Sequence, residues 1–186
     1  MVNALIVIDM LEGYMKDTHN PKKIIKNIVK LIKEFKKRKK IVILSVPDFN
    51  YSIKNPVMIK LWGEEFKNDP QGRKLIKELS NFKFDKIVKK HEYSTFYDTD
   101  FEKYCKQNKI NELYFTGVFS GCCVLFSAVD SAYRHIQPYL VTDAAGGPKK
   151  SLVDKDWHKN TCDTFKLMVG PLITTNKLVH KLGQQH

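Results

Sequence analysis

Residues 4–9 read Ala4-Leu5-Ile6-Val7-Ile8-Asp9, an unbroken apolar run closed by a carboxylate. Its length and lack of alternation suit a strand buried on both faces, the habit of parallel sheets. A secretory leader would carry basic residues first and a longer apolar segment. None precedes Ala4, and Asp9 interrupts the run at once. With no export signal, the expected location is the cytoplasm.

Further short apolar runs follow at Ile41–Val46, Lys86–Lys89, Glu112–Thr116, Tyr139–Thr142 and Leu172–Thr174. Helical patterns lie between most of them. The first starts at Asn20-Pro21, where Asn20 is expected as N-cap and Pro21 in the first turn. Others are expected at Gln71–Leu79, Asp100–Gln107, Cys122–His135, Lys155–Met168 and Thr175–Leu182. Strands alternating with helices imply parallel pairing through right-handed crossovers. The expected fold is therefore α/β: a three-layer α/β/α sandwich around a six-stranded, mainly parallel sheet in the order 3-2-1-4-5-6. No repeat, low-complexity stretch or linker divides the chain, so residues 1–186 are read as one domain.

Composition narrows the classes. Hydrophobic residues at 42% and charged ones at 28% describe a globular chain, and no apolar run is long enough for a membrane span. The net charge of +12 raises nucleic acid as a partner. However, the densest basic stretch, Lys22 to Lys40, carries Ile24, Ile25, Ile28, Leu31, Ile32 and Phe35 at helical spacing. That is the solvated face of an amphipathic helix, and no basic motif interleaved with aromatics accompanies it. Neither nucleic acid nor membrane is expected as a partner. The four cysteines, Cys105, Cys122, Cys123 and Cys162, show no zinc-type spacing. In a reducing compartment they are thiols, which leaves room for a nucleophile.

Open parallel sheets do their chemistry beyond the carboxyl ends of the strands, at the switch in strand order. Polar residues just past those ends are Asp9, Asp48, Lys90, Cys123 and Asp143. In the order 3-2-1-4-5-6 the first and fourth strands are neighbours there, so Asp9 faces Cys123 and Lys90 reaches in from the third. The stretch Thr116-Gly117-Val118-Phe119-Ser120-Gly121-Cys122-Cys123-Val124 reads as strand, glycine-bearing turn and helix start. A thiol at a helix N-terminus is favoured as thiolate, and backbone N–H groups of such a turn can form an oxyanion hole. Taken alone, Cys122 and Cys123 are equally compatible with small core residues. A phosphatase loop is ruled out, since neither cysteine has arginine at the required offset. Asp9 could cap the following turn or act as a general base. Lys90 would hold a buried aspartate ionised, or be one more surface lysine.

Together these residues resemble the isochorismatase-like cysteine hydrolases, relatives of nicotinamidase and N-carbamoylsarcosine amidase. The resemblance rests on Ile8-Asp9-Met10, on Lys90-His91-Glu92-Tyr93-Ser94-Thr95-Phe96, on Gly117 to Val124, and on Asp143-Ala144. It spans residues 4 to 146 and selects Lys90 over Lys89 and Cys123 over Cys122. It implies Asp9, Lys90 and Cys123 as the catalytic set, with the backbone N–H groups of Phe119 and Cys123 as oxyanion donors. It also implies a cis peptide at Val118–Phe119. The expected reaction cleaves a C–N bond of a small amide or carbamoyl compound through a thioester. Tyr14, Trp62 and Phe119 are the expected pocket walls, Trp62 because Trp62-Gly63 resembles a segment of carbamoylsarcosine-amidase-like members.

Two departures bear on substrate. Nicotinamidases bind a metal through histidines after the second strand and beyond; here those places hold Asp48, Asn50 and Glu65. No metal and no cofactor is expected, and nicotinamide becomes a lesser alternative. Isochorismatases that cleave a vinyl ether lack the cysteine, so Cys123 favours amide chemistry; the vinyl-ether reaction remains the other alternative. By resemblance the chain is expected to form a homo-dimer or homo-tetramer.

Overall fold

The computed structural model describes residues 2–52, 56–62, 69–149 and 156–184, except the side chains of residues 52, 58, 61 and 62. The strands are β1 (Val2–Ile8), β2 (Ile41–Pro47), β3 (Lys86–Lys90), β4 (Ile110–Val118), β5 (Gln137–Gly146) and β6 (Leu172–Ile173). They form one sheet in the order β3-β2-β1-β4-β5-β6. All five pairings are parallel. The isochorismatase-like order expected from the sequence is thus the one found. β1, central and flanked on both sides, is buried from Asn3 to Ile8, which is why its sequence does not alternate.

The helices are α1 (Glu12–Lys16), α2 (Pro21–Lys37), α3 (Phe49–Ser52), α4 (Pro56–Trp62), α5 (Lys77–Ser80) and α6 (Phe101–Gln107). After a π-turn over Ser120–Val124 come α7 (Leu125–Tyr133), α8 (Trp157–Met168) and α9 (Thr175–Gly183). They cover both faces of the sheet. On one, α2 buries Ile24, Ile28, Leu31, Ile32 and Phe35 against Leu5, Val7 and Val42, with Leu178 and Leu182 of α9 beside them. On the other, Phe101, Cys105, Val124, Ala128 and Phe165 pack against Ala4, Ile6, Ile8 and Phe115. Lys22, Lys23, Lys26, Lys30, Lys33 and Lys37 all lie on the exposed face of α2.

Three local expectations need correction. Asn20 precedes α2 but does not cap it; its backbone is left-handed at φ 52° and its side-chain amide meets the His19 ring instead. The helix expected over Gln71–Leu79 is reduced to Lys77–Ser80. The segment before it gives its backbone groups to the chain after β1: Glu12 N–H donates to Lys74 O, Gly13 N–H to Gly72 O and Ile76 N–H to Met10 O. Those bonds use the groups a helix would need. The helix expected over Cys122–His135 is broken at Cys122, whose φ −126° and ψ −109° are not helical.

The amphipathic reading of α2 has a quantitative consequence. Leu31→Ala should lower unfolding stability by about 2–5 kcal/mol, while Lys33→Ala should stay within about 0.5 kcal/mol. Urea denaturation of the two variants checks this, and equal losses would contradict it.

Candidate functional site

The site lies where β1 and β4 run side by side, Ile8 opposite Gly117. Gly117 has φ 102°, and a Cβ there would lie 2.0 Å from Ile8 O. Only glycine lets β4 pass so close to the residue that precedes Asp9. Asp9 leaves the sheet in a left-handed conformation (φ 54°), which aspartate tolerates better than most side chains. Its N–H donates to Ser45 O on β2 at 2.9 Å, and its own carbonyl accepts from Leu11 N–H. The carboxylate is thereby aimed beyond the strand ends.

Lys90, the last residue of β3, extends across the end of β2. Its Nζ lies 3.0 Å from Asp9 Oδ2, with the two side chains only 4% and 1% exposed. The same ammonium donates to Cys123 Sγ at 3.4 Å and to Glu92 O at 3.3 Å. Asp9, Lys90 and Cys123, from the ends of three strands, therefore meet at one point. The Asp9 carboxylate has the Lys90 ammonium and the Cys123 thiol beside it, the thiol being the proton within its reach. The Val118–Phe119 peptide is cis, as expected. Past it, the kink at Cys122 puts Cys123 where the helical run toward Tyr133 begins.

Burial sets the electrostatics. It raises the Asp9 carboxyl above the usual carboxylate range, with Lys90 and the Cys123 thiol opposing. Burial alone would lower Lys90, but Asp9 and Cys123 more than offset it, so the ammonium is held protonated. Cys123 departs from the sequence expectation. Its hydrogen bond with Cys122, its burial and the Asp9 charge raise it, and only Lys90 pulls it down. It is a thiol at rest, and it needs a base. Cys122 goes the other way, lowered chiefly by the Cys123 thiol and also by Lys90. Burial keeps the other two thiols inert, Cys105 pushed up to about 12 and Cys162 to about 11.

Of the expected pocket walls, Tyr14 and Phe119 are in ring contact at 5.9 Å. The Tyr14 phenol is raised well above its ordinary range by burial, then by the charges of Asp9 and Cys123. The Trp62 side chain and all of Glu65 lie outside the described residues. Phe119 O accepts from Cys122 N–H at 2.9 Å and from Val124 N–H at 3.4 Å. Of the three places that correspond to the nicotinamidase metal position, Asp48 and Asn50 are among the described residues. Asp48 Oδ1 accepts from Asn50 N–H at 3.0 Å, its Oδ2 faces His91 at 3.9 Å, and among the described residues no three His, Cys, Asp or Glu side chains converge.

Several supporting residues had no marking in the sequence. Ser45 Oγ meets Thr95 Oγ1 at 2.8 Å, and Ser127 Oγ meets both Thr95 Oγ1 (3.1 Å) and Thr95 N–H (2.9 Å). All three residues are fully buried, and the chain of hydroxyls ties β2, the loop after Lys90 and α7 together. Ser120, His158 and Thr142 form a second, partly buried link. Thr95 could have been found inside the Lys90–Phe96 motif, whereas His158 has no local signal.

The sequence matches the isochorismatase domain family over residues 3–177. The chain belongs to that family. No described helix is long and apolar enough to cross a membrane. A probable isochorismatase of Pseudomonas chlororaphis is 29% identical over 118 residues, covering 63% of this chain and 55% of that protein. The chain thus spans about half the length of that relative. A cysteine hydrolase from Pseudomonas syringae pv. phaseolicola 1448A superposes with TM-score 0.85 at 18% identity, covering 99% of this chain and 93% of the other. N-carbamoylsarcosine amidase from Thermoplasma acidophilum superposes with TM-score 0.74 at 26% identity, over 95% and 98%.

The opposed charges around Cys123 give a pH prediction. In Asp9→Asn a negative charge that raises the thiol is gone while Lys90 remains, so the Cys123 pKa falls. Iodoacetamide alkylation of Cys123, mapped by mass spectrometry across pH, should shift its midpoint downward and run faster at pH 7. An unchanged midpoint would mean that Asp9 does not act on the thiol, and an upward shift would reverse the sign of its effect.

Proposed function

We propose that this protein is a cysteine-dependent hydrolase that cleaves a C–N bond of a small amide or carbamoyl compound through a thioester. The observation that carries the reading is Lys90 Nζ within 3.0 Å of Asp9 Oδ2 and 3.4 Å of Cys123 Sγ. Asp9, a carboxylate of raised basicity beside a protonated thiol, takes the Cys123 proton as the sulfur attacks the carbonyl. The N–H groups of Phe119 and Cys123 receive the oxyanion. Asp9 then returns the proton to the departing amine. The C–N bond breaks, and the acyl group stays on sulfur. Water, deprotonated by Asp9, cleaves the thioester and restores the thiol. Throughout, Lys90 balances whichever of Asp9 or Cys123 carries the negative charge. Tyr14 and Phe119 form an aromatic wall that suits a compact substrate.

A second reading is supported by the relative named a probable isochorismatase. In a vinyl-ether cleavage Asp9 would protonate the substrate and the thiol would be idle.

An ammonia-release screen over small amides and carbamoyl compounds identifies a substrate, and four variants then separate the readings. Cys123→Ala and Asp9→Asn should each lose about 1,000-fold or more in turnover, and the double variant little beyond that, as expected of residues acting as a unit. Lys90→Met should be equally inactive, and should lose about 3–5 kcal/mol of stability because it strands a buried carboxylate. Cys122→Ala should keep its activity. Robust turnover by Cys123→Ala would overturn the thiol mechanism in favour of the second reading.

A further inference from the structure

His158 stands outside the Asp9–Lys90–Cys123 cluster, on the first turn of α8, yet it is hydrogen-bonded at both ring nitrogens. Nε2 lies 3.0 Å from Thr142 O on β5. A carbonyl only accepts, so Nε2 carries the hydrogen and Nδ1 is the acceptor. Ser120 Oγ, 2.8 Å from Nδ1, is therefore the donor. Ser120 is fully buried, one residue past Phe119 and three before Cys123. Cys162 Sγ, 3.7 Å from Nε2, is a more distant neighbour.

The same helix grips the next residue of that turn. A Cβ at Gly121 would lie 2.6 Å from Thr161 Oγ1 and 2.8 Å from the Trp157 ring. Glycine is thus what allows α8 to close on the backbone between Phe119 and Cys123. The turn is held at two adjacent points, Ser120 by hydrogen bond and Gly121 by contact, and β5 completes the brace through Thr142.

We infer that His158 is a positioning residue for the turn that carries Cys123: its Nδ1 fixes Ser120, and through Ser120 the backbone N–H groups flanking the nucleophile. This rests on the thiol reading above. Burial keeps the ring below the ordinary imidazole range, so the neutral, accepting form prevails at pH 7. Donor placement matters at the scale of a tenth of a nanometre: a displacement of about 1 Å can cost about 100-fold in rate. Binding of a small substrate against Tyr14 does not depend on those N–H groups, so the loss should fall on the rate of acylation.

The probe is p-nitrophenyl acetate, followed by stopped flow, with thermal melts of every variant. The wild type should give a burst of p-nitrophenolate that Cys123→Ala lacks. Asparagine at position 158 keeps an acceptor near the place of Nδ1, whereas glutamine keeps a donor near the place of Nε2 and no acceptor for Ser120. His158→Gln and the milder Ser120→Ala should each slow acylation by about 100-fold with KM little changed. His158→Asn should stay within about tenfold of wild type, and the Ser120→Ala/His158→Gln pair should be no slower than its components. A purely structural role would slow the Asn and Gln variants alike, and that result would overturn the inference. A burst confined to Cys123 with Ser120→Ala at the wild-type rate would also overturn it while leaving the thiol reading intact. A burst that persists in Cys123→Ala would instead sink the thiol reading and the inference together.

Discussion

A buried ion pair, Asp9 with Lys90 at 3.0 Å, is the constraint around which the rest of the site is arranged. Removing two charges from water costs several kcal/mol per ion, and their attraction offsets this only when geometry and further partners are good. The partners here are few: Glu92 O and the Cys123 sulfur on the lysine side, and the Cys123 thiol on the carboxylate side. Hydrophobic side chains of similar volume would be no less stable. The pair makes physical sense as a charge reservoir beside a thiol that is otherwise held neutral.

Keeping that reservoir in register explains much of the surrounding backbone. Gly117 brings β4 against Ile8, and Ser45 holds the Asp9 N–H from β2. The buried hydroxyls of Ser45, Thr95 and Ser127 bind the loop after Lys90 to β2 and α7. On the opposite side the Ser120–His158–Thr142 link fixes the turn before Cys123. The switch point of the sheet supplies the cleft, and these side-chain links supply the precision that strand pairing alone lacks.

How much could be read in advance follows from the range of each interaction. The inner strands β1, β2 and β4 announced themselves because burial on both faces leaves near-continuous apolar runs. Asp9, Lys90 and Cys123 stood out as polar residues at strand ends, and their motifs added which lysine and which cysteine. The segment over Gln71–Leu79 misled because its backbone partners lie some sixty residues earlier, at Met10 to Gly13. Asn20 was placed at the right boundary with the wrong conformation, since its left-handed backbone cannot present the side chain to the helix. The basicity of Cys123 was misjudged for a related reason. Helix position and Lys90 are visible in sequence, but burial and the effect of the Cys122 thiol are not. His158 was invisible because nothing local distinguishes it from any other helical histidine.

The account's central claim is that Cys123 sulfur carries the acyl group during turnover. Acid quench of the enzyme during steady-state hydrolysis of an active amide, followed by peptide mapping, measures this directly. The account predicts an adduct with the mass of the acyl fragment on Cys123 alone, accumulating when deacylation by water is slowed. An adduct on Cys122, or steady turnover with every thiol unmodified, would contradict it.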